Sequence, residues 1–192
     1  MEIKKVCILG AGNGGYMSAV DMNGYLGYDV NIFESLPGRL DEVKQAGRIE
    51  LCDIDSQPVG VHGQVNACDT VAEAVSGADV ILNPVPFFAV KTYADLAAPH
   101  LKDGQVVICL SKGGASLVWR KALDECGNPA KVYLADCNTL PYGASRLEGA
   151  RVRLESRTYS LLFACFPAKD MDYVWDILNT LYPQEHGYKL RR

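Results

Sequence analysis

No two of the seven cysteines in this chain stand in C-x-x-C spacing. They are Cys7, Cys52, Cys68, Cys109, Cys126, Cys137 and Cys165, and three of them (Cys7, Cys109, Cys165) lie inside apolar runs. Free cysteine packs as a small hydrophobe, so the pattern argues against a disulfide scaffold or a thiolate metal site and points to a reduced, cytoplasmic protein. Long apolar runs are missing too. None approaches the roughly 20 residues that cross a bilayer, and Met1-Glu2-Ile3-Lys4-Lys5 enters a strand at once, without the apolar stretch of a signal peptide. Basic charge is in deficit, with 19 Lys and Arg against 23 Asp and Glu, a net charge of -4. Phosphate backbones are held by basic surfaces, so neither nucleic acid nor a membrane is an expected partner. Only three histidines occur, His62, His100 and His186, and none falls in a recognisable catalytic motif. Internal repeats and low-complexity tracts are absent.

Glycine, by contrast, is concentrated where it matters. Gly10-Ala11-Gly12-Asn13-Gly14-Gly15 follows the apolar run Val6-Cys7-Ile8-Leu9 and opens a helical stretch beginning near Tyr16. A G-x-G-x-x-G pattern carries meaning only between a strand and a helix, which is this context. Gly10 would make the tight turn, Gly12 would let a diphosphate approach the backbone, and Gly15 would let the helix lie against the strand. The helix should close between Gly24 and Gly27, and Val30 to Phe33 reads as the next strand. Glu34 stands at its end, nineteen residues beyond Gly15. An acid there accepts hydrogen bonds from an adenosine ribose and repels a 2′-phosphate. Arg39, five residues on, could offset part of that repulsion, so NAD is the expected coenzyme and NADP the alternative.

The rest of the chain, 192 residues in all and enough for one domain with a sizeable core, keeps alternating strand and helix. A short polar helix covers Leu40 to Gln45, and Gly47 to Leu51 and Val59 to Val65 read as two short strands. Asp69-Thr70 caps a helix that stops at Gly77. Asp79 to Asn83 is a continuous apolar strand, as suits a parallel sheet buried on both faces. Pro84-Val85-Pro86 then forces the chain out of the sheet, and a helix follows to Ala98. Gln105 to Leu110, Lys131 to Ala135 and Ser160 to Phe166 are further strands. A helix reaches Glu125 between the first two. Arg151 to Glu155 alternates charged and apolar residues like a half-exposed edge strand. Asp170 caps a last helix through Leu181, and 184–192 is polar with no core of its own. The fold class is therefore α/β, a Rossmann-type, doubly wound, mostly parallel sheet with helices on both faces over residues 5–183. Residues 184–192 read as a tail or the start of a linker. Loops 10–15, 84–88, 111–114 and 136–142 should meet on one rim, at the carboxyl ends of the strands.

The loop Asn138-Thr139-Leu140-Pro141-Tyr142-Gly143-Ala144-Ser145-Arg146 resembles the Thr-Leu-Pro-Tyr-x-x-Arg segment of the octopine/nopaline (opine) dehydrogenases. Ile8 to Gly15, Ala78 to Ile81 with Pro86, and Leu101 to Gln105 resemble the same family, and the likeness extends from Lys5 to Pro183. Two departures bear on substrate contacts: Ser111-Lys112-Gly113-Gly114 replaces an Asn-Pro-Gly type loop, and three residues separate Tyr142 from Arg146. The resemblance implies reduction, by NAD(P)H, of the imine formed from a 2-oxo acid and an amino group. It implies that Gly10, Ala11, Gly12, Asn13, Gly14 and Gly15 hold the diphosphate and that Glu34 with Ser35 holds the adenosine ribose. Pro84, Val85 and Pro86 would border the nicotinamide ribose. Thr139 and Tyr142 would lie near the nicotinamide or substrate, unless this segment only shapes a turn; Lys112 would be an anion contact or a solvated lysine. Relatives carry the catalytic histidine in a second, helical domain, which this chain would have to find beyond Arg192 or on a partner subunit; a homodimer is the other expected assembly. Two alternatives stay open at this point. One is the coenzyme domain of a ketopantoate-reductase-like, glycerol-3-phosphate-dehydrogenase-like or hydroxyacid-dehydrogenase-like enzyme. The other is a non-catalytic NAD(P)-binding module.

Overall fold

In a computed structural model, which describes residues 2–111 and 113–192, the apolar runs line up as one wide sheet. Strand β1 (Lys5–Leu9) leads into helix α1 (Asn13–Ala19), which continues as a π-helical turn over Val20–Tyr25. Next come β2 (Asp29–Phe33), α2 (Asp41–Ala46), β3 (Arg48–Cys52), β4 (Pro58–Gln64), β5 (Asn66–Ala67) and α3 (Val71–Val75). The chain then runs through β6 (Val80–Asn83), α4 (Phe87–Ala97), β7 (Val106–Cys109), α5 (Ala115–Glu125) and β8 (Tyr133–Cys137). It ends with β9 (Tyr142–Leu147), β10 (Arg151–Arg157), β11 (Ser160–Phe166), α6 (Met171–Leu181) and β12 (Lys189–Arg191).

The main sheet has eight strands in the order β12-β11-β8-β7-β6-β1-β2-β5. All neighbours are parallel except β8 and β11. Because side chains alternate along a strand, β1 feeds two cores at once. Val6 and Ile8 join the layer containing α1 and α6, while Cys7 and Leu9 join the layer of α3, α4 and α5. The chain winds outward from β1 to β5 and restarts on the other side at β6. The loops after β1 and β6 therefore face each other across the reversal of strand order, where this architecture binds ligands.

Three expectations need correction. The 151–155 strand is not an edge: β10 pairs with β3 on one side and β9 on the other, inside a second sheet ordered β4-β3-β10-β9. Its alternation reflects one face packed on α1 and one in solvent, a pattern shared by edge and inner strands of a one-sided sheet. The polar stretch 184–192 does pack. Lys189 to Arg191 pairs in parallel with β11, and Tyr188 is only 3% exposed. Helix α1 starts at Asn13, ahead of Tyr16, since Gly12 already accepts the first helical bond, from the Tyr16 N–H (3.0 Å). The two expected helix caps differ. Thr70 Oγ1 accepts from the Glu73 N–H (3.2 Å), whereas Asp170 stands at its cap position without a side-chain bond.

Candidate functional site

The glycine loop is tight for reasons visible at single atoms. Gly10 has φ +112°, and a Cβ there would lie 2.3 Å from Val85 Cγ1. Its N–H donates to the Phe33 carbonyl (2.8 Å), tying the turn to the end of β2. A Cβ on Gly15 would come within 1.9 Å of the Gly10 carbonyl oxygen, so only glycine lets α1 fold back on the turn. Gly14 is hemmed in by Leu140 and Pro84, at 3.0 and 3.1 Å from an added Cβ. Gly12 differs from all three. Nothing among the described residues lies within 4 Å of its would-be Cβ, so its freedom from a side chain serves the space outside the loop rather than the packing within it.

That space is a cleft of about 410 Å³. Gly10, Gly12, Glu34, Ser35, Pro84, Val85 and Pro86 line it, joined by Arg39 and by Thr92 and Tyr93 of α4. The Glu34 carboxylate lies beside the loop, accepting the Ala11 N–H on Oε2 (2.8 Å). Its Oε1 accepts Tyr93 Oη (2.7 Å), the Leu36 N–H (3.0 Å) and Ser35 Oγ (3.3 Å). Burial by itself would raise the carboxyl pKa; these donors outweigh it and hold the group below the usual carboxylate range. Burial, helped by the adjacent carboxylate, pushes the Tyr93 hydroxyl up to about 12, so it stays protonated and donates.

Of the other expected positions, Ala11, Asn13, Gly14 and Gly15 complete the loop, and the Asn13 side chain turns away from the cleft. Asn13 Oδ1 accepts the Arg146 N–H of β9 (2.9 Å). The Arg146 guanidinium donates to the Ala11 carbonyl (3.3 Å) and lies 4.5 Å from the centre of the Tyr16 ring. The second sheet thus braces the loop from behind. Thr139 is half-buried and outside this cleft; its neighbour Leu140 makes the contact to Gly14. Tyr142 is 3% exposed beneath α1, its hydroxyl bonded to Ser18 Oγ and near the Gly14 carbonyl (3.5 Å). Thr139 and Tyr142 are therefore not brought to the Glu34 cleft. None of His62, His100 and His186 lines it either. Lys112 lies outside the described residues.

The expected meeting of loops at one rim is found: 84–88 and 136–142 both meet 10–15 at Gly14, through Pro84 and Leu140, and 84–88 meets 111–114 where Phe87 lies 3.2 Å from an added Cβ on Gly113. Asp136 is used internally, accepting the Ser116 N–H (2.8 Å) and its hydroxyl at the start of α5. Tyr93 is absent from the residues singled out by motif. Its signal was helical spacing: Val90, Tyr93, Ala94 and Ala97 share the buried face of α4, and a tyrosine hydroxyl on such a face needs a partner. Among the described residues no group of three or more His, Cys, Asp or Glu could hold a metal ion, and no helix is long and apolar enough to cross a membrane.

The model for the N-terminus of NAD-dependent glycerol-3-phosphate dehydrogenase matches residues 5–120, from β1 into α5. The chain belongs to this family. It is an NAD-binding Rossmann domain of NAD-dependent dehydrogenases. The resemblance to opine dehydrogenases is also supported. The opine dehydrogenase of Arthrobacter sp. (strain 1C) is 27% identical over 186 residues, 96% of this chain and 50% of that protein. In a structure of octopine dehydrogenase with NADH and L-arginine, the likeness covers 98% of this chain and 48% of that one, with a TM-score of 0.78 at 24% identity. A ketopantoate reductase from Ralstonia eutropha shares the fold, with a TM-score of 0.70 at 21% identity, over 97% of this chain and 55% of that one. The chain thus spans about half the length of the curated relatives it matches. The family model stops within α5, whereas the opine likeness continues through β8 to β11 and the Thr139 to Tyr142 loop.

Proposed function

We propose that this domain holds NAD in the Glu34 cleft and delivers its hydride to an imine formed from a 2-oxo acid and an amino compound. The observation that carries the binding part is the Glu34 carboxylate, ionised and anchored 2.8 Å from the Ala11 N–H beside an open Gly12. An adenosine ribose over Glu34 would place the diphosphate across Gly12, with Pro84, Val85 and Pro86 along the nicotinamide ribose. The reaction part rests on the opine likeness, which extends beyond the coenzyme loop into β8 to β11. Hydride chemistry belongs to the coenzyme, and the protein supplies orientation and exclusion of competing reactions. A catalytic acid or base would come from outside the cleft described here, in further chain, a second copy or a partner subunit. The buried thiols, six of the seven cysteines, support a reducing, cytoplasmic setting.

NAD is the proposed coenzyme rather than NADP. Two like charges about 4 Å apart cost on the order of 4 kcal/mol at an effective dielectric near 20, and solvent at this open rim reduces that. Arg39 at the cleft edge offsets a further part. Titration by NADH fluorescence should show tighter binding of NADH than of NADPH. Glu34→Ala should weaken NADH and raise the relative affinity for NADPH; tighter NADPH binding by the unmodified chain would assign the preference to Arg39 instead. Because no histidine lines the cleft, purified residues 1–192 should bind NADH yet show no steady-state turnover with pairs of 2-oxo acid and amino acid. Robust turnover would place the catalytic group within this chain.

A further inference from the structure

Glu34 does not present a free carboxylate to the cleft. An ionised carboxylate offers about four lone-pair sites across two oxygens. Three donors converge on Oε1, namely Tyr93 Oη (2.7 Å), the Leu36 N–H (3.0 Å) and Ser35 Oγ (3.3 Å). Oε2 has one, the Ala11 N–H (2.8 Å). The spare acceptor capacity is therefore on Oε2, beside the glycine loop. Two of the Oε1 donors, Leu36 and Ser35, are near neighbours of Glu34 in sequence and move with it. Among the described residues, Tyr93 alone ties Oε1 to another element, 59 residues away on α4.

Tyr93 is itself well fixed. It is 3% exposed, its ring stands edge-on to Phe33 with centroids 6.5 Å apart, and its hydroxyl lies 3.7 Å from where a Gly10 Cβ would be. The Ser35 N–H approaches Tyr93 Oη at 3.4 Å. That contact occupies the oxygen as an acceptor and directs its proton to Glu34. We propose that Tyr93 is a specificity-determining residue for the coenzyme, acting as a positioning residue through Glu34. Its hydroxyl keeps the carboxylate across the floor of the cleft, where it meets a ribose hydroxyl on Oε2 and opposes a 2′-phosphate. Admitting the phosphate requires Glu34 to swing aside, which breaks the Tyr93 bond as well as the Ala11 bond. This deepens the NAD-binding reading of the same cleft and rests on it.

The test uses the whole chain, with NADH and NADPH as the probes, in the unmodified protein, Y93F, E34Q and the double variant. Phenylalanine keeps the buried ring and removes only the hydroxyl, and circular dichroism verifies the fold of each variant. A charge-assisted hydrogen bond is worth enough that Y93F should lower the NADH-over-NADPH preference by about five- to tenfold. In the E34Q background the same change should move the preference by less than about twofold, since the two residues act as one unit. A purely structural role would weaken both coenzymes equally and leave their ratio unchanged, which overturns the proposal. An undiminished effect of Y93F in the E34Q background also overturns it, because Tyr93 would then touch the coenzyme directly. Should Y93F fail to fold, Ser35→Ala replaces it, removing the hydroxyl whose one proton is shared between Glu34 Oε1 and Tyr93 Oη (both 3.3 Å). It should lower the preference in the same direction, and an unchanged ratio overturns the proposal. Failure of the unmodified chain to bind NADH at all would instead sink the reading of the cleft as a coenzyme site.

Discussion

Gly12→Val is expected to leave the chain folded and to weaken NADH binding by at least about a hundredfold, roughly 3 kcal/mol. Gly12 has φ -81° and ψ -165°, an extended conformation open to any residue. Among the described residues no atom lies within 4 Å of its would-be Cβ, so a side chain has open space there. It would instead fill the mouth of the cleft, where a diphosphate must come close to the backbone. Gly15→Ala makes the contrasting control. Its Cβ would sit 1.9 Å from the Gly10 carbonyl oxygen, a backbone atom that cannot step aside without opening the turn. That variant should lose stability, with its coenzyme binding lost as a consequence. Calorimetry with thermal melts separates the two cases. Unchanged NADH affinity in folded Gly12→Val would mean that the diphosphate does not cross this residue.

Asp21→Ala should produce the largest loss of stability away from the cleft. Asp21, 5% exposed, accepts Arg157 Nη2 (2.9 Å), Arg157 Nη1 (3.2 Å) and Tyr188 Oη (2.8 Å). One carboxylate thereby joins the π-helical turn after α1, strand β10 of the second sheet and the segment before β12. Removing one partner of a buried pair leaves the other charge uncompensated, at a cost of 3–5 kcal/mol in roughly comparable sites. The Arg157 side chain is 24% exposed, which lets water relieve part of this, so about 3 kcal/mol is expected. For a chain of this size that corresponds to a Tm lower by roughly 6–12 °C. Tyr188→Phe removes two hydrogen bonds, one donated to Asp21 and one accepted from Arg157 Nη1, but leaves the ion pair, and should cost about 2 kcal/mol. Melting curves followed by circular dichroism decide the matter. A fall below about 2 °C for Asp21→Ala would show that Arg157 and Tyr188 re-pair without it.

What the amino-acid sequence determined by itself is what short windows encode. Alternating apolar runs and helical stretches specified the parallel sheet. The spacing of Gly10, Gly12 and Gly15 after β1 specified the turn, and the position of Glu34 at the end of β2 followed from the length of one strand-helix-strand unit. These are local rules of side-chain period and backbone conformation, readable without knowing which strands become neighbours. The second sheet, the burial of Tyr142 and Tyr188, and the brace from Arg146 were decided by the tertiary structure alone. They depend on contacts between residues far apart in sequence: 133 between Arg146 and Asn13, 167 between Tyr188 and Asp21. No local pattern distinguishes an arginine on an exposed strand face from one that stacks on Tyr16 and holds the Ala11 carbonyl. Tyr93 lies between the two cases. Its helical spacing marked it as buried, but which group its hydroxyl would meet was set only when α4 crossed the end of β2 and brought Glu34 to 2.7 Å.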